Sequence, residues 1–201
     1  MRRAILWAAL LGIMAPAVSA LELTPSQSEG PFYPTKKPAD AGPDLTQHGS
    51  GAPAKGDVLA LQGKVVDASG SPIANTRVEI WQSDYQGIYM HPRDQRTANR
   101  DKAFQFYGET LTGTDGQFAF RTIMPAPYSG RPRHIHAKIA PPGGATLTTQ
   151  FYFKGDDADL ERDSIVRRLG PALERVTLNP VPKAGSDGVL EATIAIVVQH
   201  G

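Results

Sequence analysis

Between residues 58 and 198 apolar and polar positions alternate in short runs, the period expected of strands that bury one face. Leu59 to Asp67 is one such run, Ala68 to Pro72 turns the chain, and Thr76 to Gln82 is a second. Glu109 to Gly113 and Gln117 to Ile123 flank the turn signal Asp115-Gly116 and read as a hairpin. His134 to Ala140 leads through Pro141-Pro142-Gly143-Gly144 to the β-branched and aromatic run Thr146 to Phe153. Val189 to Val198 is a closing strand, and only Asp157 to Leu169 has the pattern of a short helix. About seven short strands, long loops and little helix predict an all-β fold, an antiparallel β-sandwich.

Two stretches lack that alternation. Residues 21–56 are rich in Pro, Gly, Ser and Lys, contain the group Glu29-Gly30-Pro31-Phe32-Tyr33-Pro34, and read as an irregular arm lying on the domain formed by 57–201. Residues 83–108 hold Tyr85, Tyr89, His91 and Tyr107 and read as a long functional loop. There is no internal repeat and no sign of a second domain.

The first twenty residues read as a secretory signal peptide: Met1-Arg2-Arg3, an apolar run from Ala4 to Val18, and small residues Val18-Ser19-Ala20 at a cleavage site. The expectation is export to the periplasm or beyond, with Arg2-Arg3 also compatible with a twin-arginine route. The apolar run is too short for a comfortable membrane span, so no membrane attachment is expected after cleavage. The full chain has 21 basic and 20 acidic residues, and losing the leader leaves 19 against 20. Such a balance, without a basic stripe, argues against nucleic acid as a partner. Cysteine is absent, which excludes thiolate sites and disulfides. The sequence leaves a homo-oligomer open.

Candidate chemistry gathers in Pro125 to His136. If His134-Ile135-His136 is extended, both imidazoles share one face and Ile135 enters the core. Prolines 125, 127 and 132 keep the approach non-helical, and Tyr128 precedes the pair by six residues. No Asp or Glu follows within the histidine segment as the two-histidine, one-carboxylate or cupin patterns ask. The remaining ligands are therefore sought among tyrosines, chiefly Tyr128 and Tyr89. A phenol ionises near pH 10, so it suits a strongly acidic cation such as ferric iron. Arg131 is within reach of the same site, and Gln150 lies on the next strand. Tyr33, Tyr85, Tyr107 and Tyr152 are expected to pack and hydrogen-bond locally. Arg133 and His91 fit a solvent-facing position as well as a supporting one, and His48 and His200 have no assigned role.

Taken in order, Gly63-x-Val65-x-Asp67, Gly70-x-Pro72-Ile73, Val78-Glu79-Ile80-Trp81-Gln82, Gly87-x-Tyr89, Pro127-Tyr128 and Arg131-Pro132-x-His134-x-His136 resemble the intradiol ring-cleavage dioxygenases, nearest to a protocatechuate-type catalytic domain. The resemblance extends over roughly residues 24 to 160, and the Glu29 to Pro34 group is similar to the family's N-terminal signature. It implies that Tyr89, Tyr128, His134 and His136 bind Fe(III), with Arg131 and Gln150 in supporting positions. It further implies a catechol-type substrate and O2, cleavage between the hydroxyl-bearing carbons to a muconate-type diacid, and Tyr128 as the phenolate that accepts a substrate proton. The segment from Tyr128 to the histidines is much shorter than in the protocatechuate and catechol enzymes, so the loop lining their pocket is largely missing. Two other readings stay open on the residues alone: a non-catalytic transthyretin-like binding module, and a different metalloenzyme using only the histidines.

Overall fold

The computed structural model describes residues 20–49 and 51–200, so the leader expected over residues 1–20 lies almost wholly outside the described residues. Among the described residues, nine strands form two sheets. They are β1 (Val58–Val66), β2 (Arg77–Trp81), β3 (Tyr107–Leu111), β4 (Gln117–Ile123), β5 (His134–Ala140), β6 (Leu147–Phe153), β7 (Thr177–Leu178), β8 (Val181–Pro182) and β9 (Val189–Val197). One sheet has the order β4-β1-β9-β8 and the other β3-β2-β5-β6-β7. Their inner faces meet in one apolar core. Leu59 and Leu61 of β1, Phe118 and Phe120 of β4, and Ile194 and Ile196 of β9 face Val78 and Ile80 of β2, Ile135, Ala137 and Ile139 of β5, and Phe151 and Phe153 of β6. The all-β sandwich expected from the alternation is the fold observed.

Three local expectations change. The pairs β1–β9 and β6–β7 are parallel, while the other pairings are antiparallel. The Asp115-Gly116 turn forms, with the Gly113 amide donating to the Gln117 carbonyl at 2.9 Å, but it does not close a hairpin. β3 pairs with β2 and β4 with β1, so the chain changes sheets at this corner. Turn chemistry is local, whereas the choice of sheet is made by long-range pairing, of β3 with β2 and of β4 with β1. Finally, the single helix expected over 157–169 is two, α1 (Asp157–Arg162) and α2 (Ser164–Arg167). Asp163 breaks them with extended backbone, its side chain accepting from the Ile165 and Val166 amides as an N-cap.

The outer face of the five-stranded sheet is also buried at one end. Trp81, Tyr89 and Tyr107 form a second apolar cluster, against which Phe32, Tyr33, Ala41 and Tyr128 pack. Residues 20–49 and 51–57, which contain no helix or strand, supply part of that cover. They are tied at Thr24, whose amide donates to the Val197 carbonyl (2.9 Å), and at Gln27, whose amide donates to the Thr148 carbonyl (2.8 Å). Leu45, fully buried in the main core, ends the crossing beside β4, its amide on the Arg121 carbonyl at 2.8 Å.

The loop between β2 and β3 supplies the rest, and two carboxylates shape it. Asp84, fully buried, accepts from the amides of Gln86 (2.9 Å), Ile88 (3.0 Å) and Asp101 (2.9 Å). Asp94 accepts from the amides of Tyr89 (2.9 Å) and Arg96 (2.9 Å). Each carboxylate satisfies buried donors that a loop cannot pair through a ladder. Gly87 stands where this loop docks on the Pro127-Tyr128 segment. Its φ is +74°, and a β-carbon there would lie 2.4 Å from the Pro127 carbonyl oxygen. Gly143 has a similar φ of +69° with open space around it. Gly143→Ala should therefore cost about 1–2 kcal/mol, the left-handed penalty alone. Gly87→Ala should cost clearly more, because backbone must move. Denaturant melts of the two variants check this, and equal losses would show that the loop does not press on Pro127.

Candidate active site

The alternation of β5 sets the site. Ile135 is fully buried in the main core, while His134 and His136 project from the opposite face. Cross-strand register brings other residues to that face: Trp81 and Gln150 lie opposite His136, and Tyr152 lies opposite His134. Trp81 stacks on His136 at 4.9 Å between ring centroids, 8° from parallel. The arm comes so close at Gly30 that a β-carbon there would sit 3.1 Å from His136 Cε1.

Tyr89 arrives from the β2–β3 loop and Tyr128 from the segment after β4. Tyr89 is held between Phe32, stacked at 4.5 Å, and Tyr128, edge-on at 5.1 Å. Tyr128 lies 5.4 Å from His134, His134 lies 4.8 Å from His136, and His136 lies 6.5 Å from Tyr89. The four rings thus close a circuit. The chain reverses after Tyr128 through Ser129 (φ +47°) and Gly130 (φ +76°), the Arg131 amide donating to the Tyr128 carbonyl at 2.8 Å. Consecutive left-handed residues make a tight primed turn, which sets Tyr128 and Arg131 side by side.

Hydrogen bonds assign the proton on one imidazole. His134 Nδ1 meets the Pro132 carbonyl at 2.7 Å, and a carbonyl only accepts, so Nδ1 carries the hydrogen and Nε2 is left with its lone pair. Arg131 Nη1 donates toward that Nε2 at 3.2 Å and to Gln150 Oε1 at 3.0 Å, while Nη2 donates to Tyr152 Oη at 3.3 Å. Gln150 is fixed from the far side, its Nε2 donating to the Ser28 carbonyl at 2.8 Å. Tyr152 donates to Gln27 Oε1 at 2.8 Å. The arm therefore closes the polar edge of the site as well as its aromatic edge.

Among the described residues, four buried side-chain atoms of this site have no hydrogen-bond partner in the protein: Tyr89 Oη, both ring nitrogens of His136 and Nε1 of the stacked Trp81. Buried polar atoms without partners are rare and ask for an explanation. Burial, reinforced by the Arg131 charge, pushes the His134 pKa down to about 3. Burial and the neighbouring His134 hold His136 well below its usual range. Both imidazoles are thus neutral and carry lone pairs. Burial raises Tyr89 well above the usual phenol range, with the adjacent Tyr128 adding to the shift. Tyr128 is raised for the same first reason, with Arg131 opposing. Left alone these phenols stay protonated; a cation able to hold them as phenolates must be strongly acidic. Among the described residues no three His, Cys, Asp or Glu side chains gather, so the donor set available to a metal is this mixed pair of imidazoles and phenols. The residues fit ferric iron.

The six side chains singled out from the sequence, Tyr89, Tyr128, Arg131, His134, His136 and Gln150, occupy one place. Among the tyrosines expected to bond locally, Tyr33 meets Glu79 at 2.6 Å and Tyr107 meets Glu109 at 2.7 Å, as expected. Tyr152 does more, because it touches Arg131. His91 is buried, its Nδ1 accepting from the Arg93 amide at 3.1 Å, and its ring meets Phe32 rather than the four-ring circuit. Arg133 pairs with Asp156 at 2.8 Å. Phe32, Trp81, Gln27 and Asp163 also belong to the site or its support; Phe32 and Trp81 fall in stretches that carry the family resemblance, but none of the four is expected at the site from the sequence. For Trp81 the signal was the even spacing of its strand, which becomes informative only once β2 is known to pair with β5.

The profile of the dioxygenase family matches residues 28–183. The chain is 36% identical over 138 residues to the protocatechuate 3,4-dioxygenase beta chain of Burkholderia cepacia, covering 62% of this chain and 58% of that protein. It is 30% identical over 171 residues to a catechol 1,2-dioxygenase of Acinetobacter baylyi, covering 76% and 53%. It thus spans little more than half the length of these relatives. Among solved structures, the dioxygenase domain of a dioxygenase carbohydrate-binding protein fusion from Streptomyces sp. SirexAA-E superposes with a TM-score of 0.69 at 29% identity, over 90% of this chain and 100% of that one. Because the profile takes in most of the chain, including every strand from β1 to β8, the chain belongs to the intradiol ring-cleavage dioxygenase family.

Proposed function

We propose that this protein is a non-haem Fe(III) dioxygenase that opens a catechol-type diol between its hydroxyl-bearing carbons, both atoms of O2 entering a muconate-type diacid. The observation that carries the reading is the closed circuit of Tyr89, Tyr128, His134 and His136 with Tyr89 Oη and both His136 nitrogens unpartnered. These four side chains would hold the metal. Ferric iron there supplies the positive charge that keeps phenolates ionised and makes the bound diol reactive toward O2.

The protein's own groups have separable roles. Tyr89 and His136 are buried, while Tyr128 and Arg131 are half-buried at the mouth. Tyr128 is therefore the phenol a substrate can reach, and its oxygen is suited to take a proton from a diol hydroxyl. Arg131 stands beside it with a permanent charge, placed to stabilise negative charge developing on the substrate oxygens. Gln150, whose amide is fixed at both ends by Arg131 and the Ser28 carbonyl, is placed to help orient the substrate beside Arg131. Phe32 and Trp81 exclude water and keep the Tyr89 and His136 rings from rotating. The short turn between Tyr128 and Arg131 leaves this edge open, which favours catechols carrying ring substituents.

The purified protein should contain about one iron per chain and show a tyrosinate-to-iron charge-transfer band, with metal analysis and visible spectroscopy as the checks. A colourless protein that binds zinc and refuses iron would overturn the ligand set. His134→Ala and His136→Ala should each abolish iron binding, and full oxygen uptake with a catechol in either variant would end the assignment. Tyr128→Phe should keep part of the iron and lose turnover. Arg131→Ala should keep iron and colour while slowing the chemical step by roughly 2–4 kcal/mol, the range seen on removing one oxyanion donor. Oxygen-electrode assays beside iron analysis separate these outcomes from those of a binding module, in which no variant changes oxygen consumption.

A further inference from the structure

Arg131 must keep its guanidinium in one place, yet its own turn cannot hold it, because Ser129 and Gly130 are exposed. The groups on β5 and β6 that meet it, His134, Gln150 and Tyr152, are neutral and stand 3.0–3.3 Å away. One carboxylate pairs with it among the described residues. Arg131 Nε donates to Asp163 Oδ2 at 2.7 Å, and the Asp163 side chain is only 4% exposed.

That carboxylate is fixed independently of the arginine. Its other oxygen, Oδ1, accepts from the amides of Ile165 (2.7 Å) and Val166 (3.2 Å) at the start of α2. Val166 and Leu160, on the helices either side of Asp163, are buried in the main core. The two oxygens thus divide the work, Oδ1 anchored by helix backbone and Oδ2 aimed at the guanidinium. Burial alone would favour the neutral acid, but Arg131 and the two amides outweigh it and hold the carboxyl below its usual range. A buried ion pair whose partners are also hydrogen-bonded confers orientation more than stability.

We propose that Asp163 is a positioning residue for the dioxygenase reaction, fixing the plane of the Arg131 guanidinium through Nε so that Nη1 and Nη2 face the site. The α1–α2 break is then a functional part of the fold: the residue that ends one helix and caps the next also aims the arginine at the mouth. The assignment of Arg131 to the chemistry rests on the function proposed above; the Asp163–Arg131 coupling does not.

The variant that isolates the charge is Asp163→Asn, because asparagine caps a helix as well as aspartate does. Asp156→Asn is the comparison: it removes the neighbouring Arg133–Asp156 ion pair, which joins the same two segments without touching the site. In the iron-loaded full chain, D163N should lower kcat roughly 10- to 100-fold, with KM changing less than about threefold, the signature of a misplaced group rather than lost binding. D156N should leave both unchanged. In the metal-free, 15N-labelled full chain, the Arg131 Nε–H resonance should exchange slowly in wild type and in D156N and become fast in D163N. Retention of kcat within about twofold in D163N, or a wild-type Arg131 Nε–H that exchanges freely, overturns the proposal. If D163N does not fold, Asp163→Ser, which also caps, is read in its place, and the wild-type resonance decides without any variant. Absence of catechol cleavage in wild type would strike the proposed function, while the resonance would still decide whether Asp163 holds Arg131.

Discussion

A five-stranded sheet that has to be dry on both faces is the constraint from which the rest of this structure follows. The inner face is dry because it meets the other sheet. The outer face carries two imidazoles, and an imidazole in water would protonate near neutral pH and lose its lone pair. Dehydrating that face takes an irregular arm and a long loop, since a third sheet would bring ladder ends with no partners. Both covers are poor in regular hydrogen bonding and compensate with side-chain anchors. Asp84 and Asp94 organise the loop, and Gln27, Thr24 and Leu45 tie the arm.

Charge is arranged to match. Beyond Trp81 and His136 on the same face, Glu79 lies opposite both Glu109 and Lys138 across the sheet. Two carboxylates side by side on neighbouring strands repel. The arm answers with Lys37, 2.8 Å from Glu79 and 3.6 Å from Glu109, while its own Glu29 pairs with Lys138. Acid on the sheet thus meets base on the arm, and base on the sheet meets acid on the arm. This reciprocity fixes the arm's register over the sheet, which a purely apolar contact would leave free to slide. Tyr33 completes the junction, its hydroxyl on Glu79, its edge on Trp81 and the Lys138 ammonium 3.7 Å from its ring centroid.

What could be read from the chain was whatever period and residue type express locally. The alternation of β5 placed His134 and His136 on one face before any partner strand was known, and the shortage of carboxylates near them pointed to phenols. The strands themselves were legible for the same reason. The missing parts are consequences of pairing at long range. The parallel β1–β9 contact joins segments more than a hundred residues apart, and a glycine-containing turn says nothing of which sheet its second strand will enter. Asp163 was hidden differently: within Asp157 to Leu169 its polar side chain fits a helix surface as well as a cap, and its tie to Arg131 crosses a gap of 32 residues. Tyr152 was hidden by type, because most tyrosines do bond locally.

The short turn after Tyr128 and the break between α1 and α2 solve one problem from two sides. A tight turn makes the backbone of Tyr128 and Arg131 rigid but gives a long arginine side chain no walls, and the guanidinium can swing through many rotamers. An enclosing loop would supply walls at the expense of access. Here the walls are point contacts instead: a carboxylate on Nε, an amide oxygen on Nη1 and a phenol on Nη2. Three directional contacts hold a planar cation as firmly as packing does, and they leave part of its surface exposed. The site can therefore combine dry, neutral nitrogen donors with a charged group at its half-buried edge, because the carboxylate that restrains the charge enters from the α1–α2 break rather than from the turn itself.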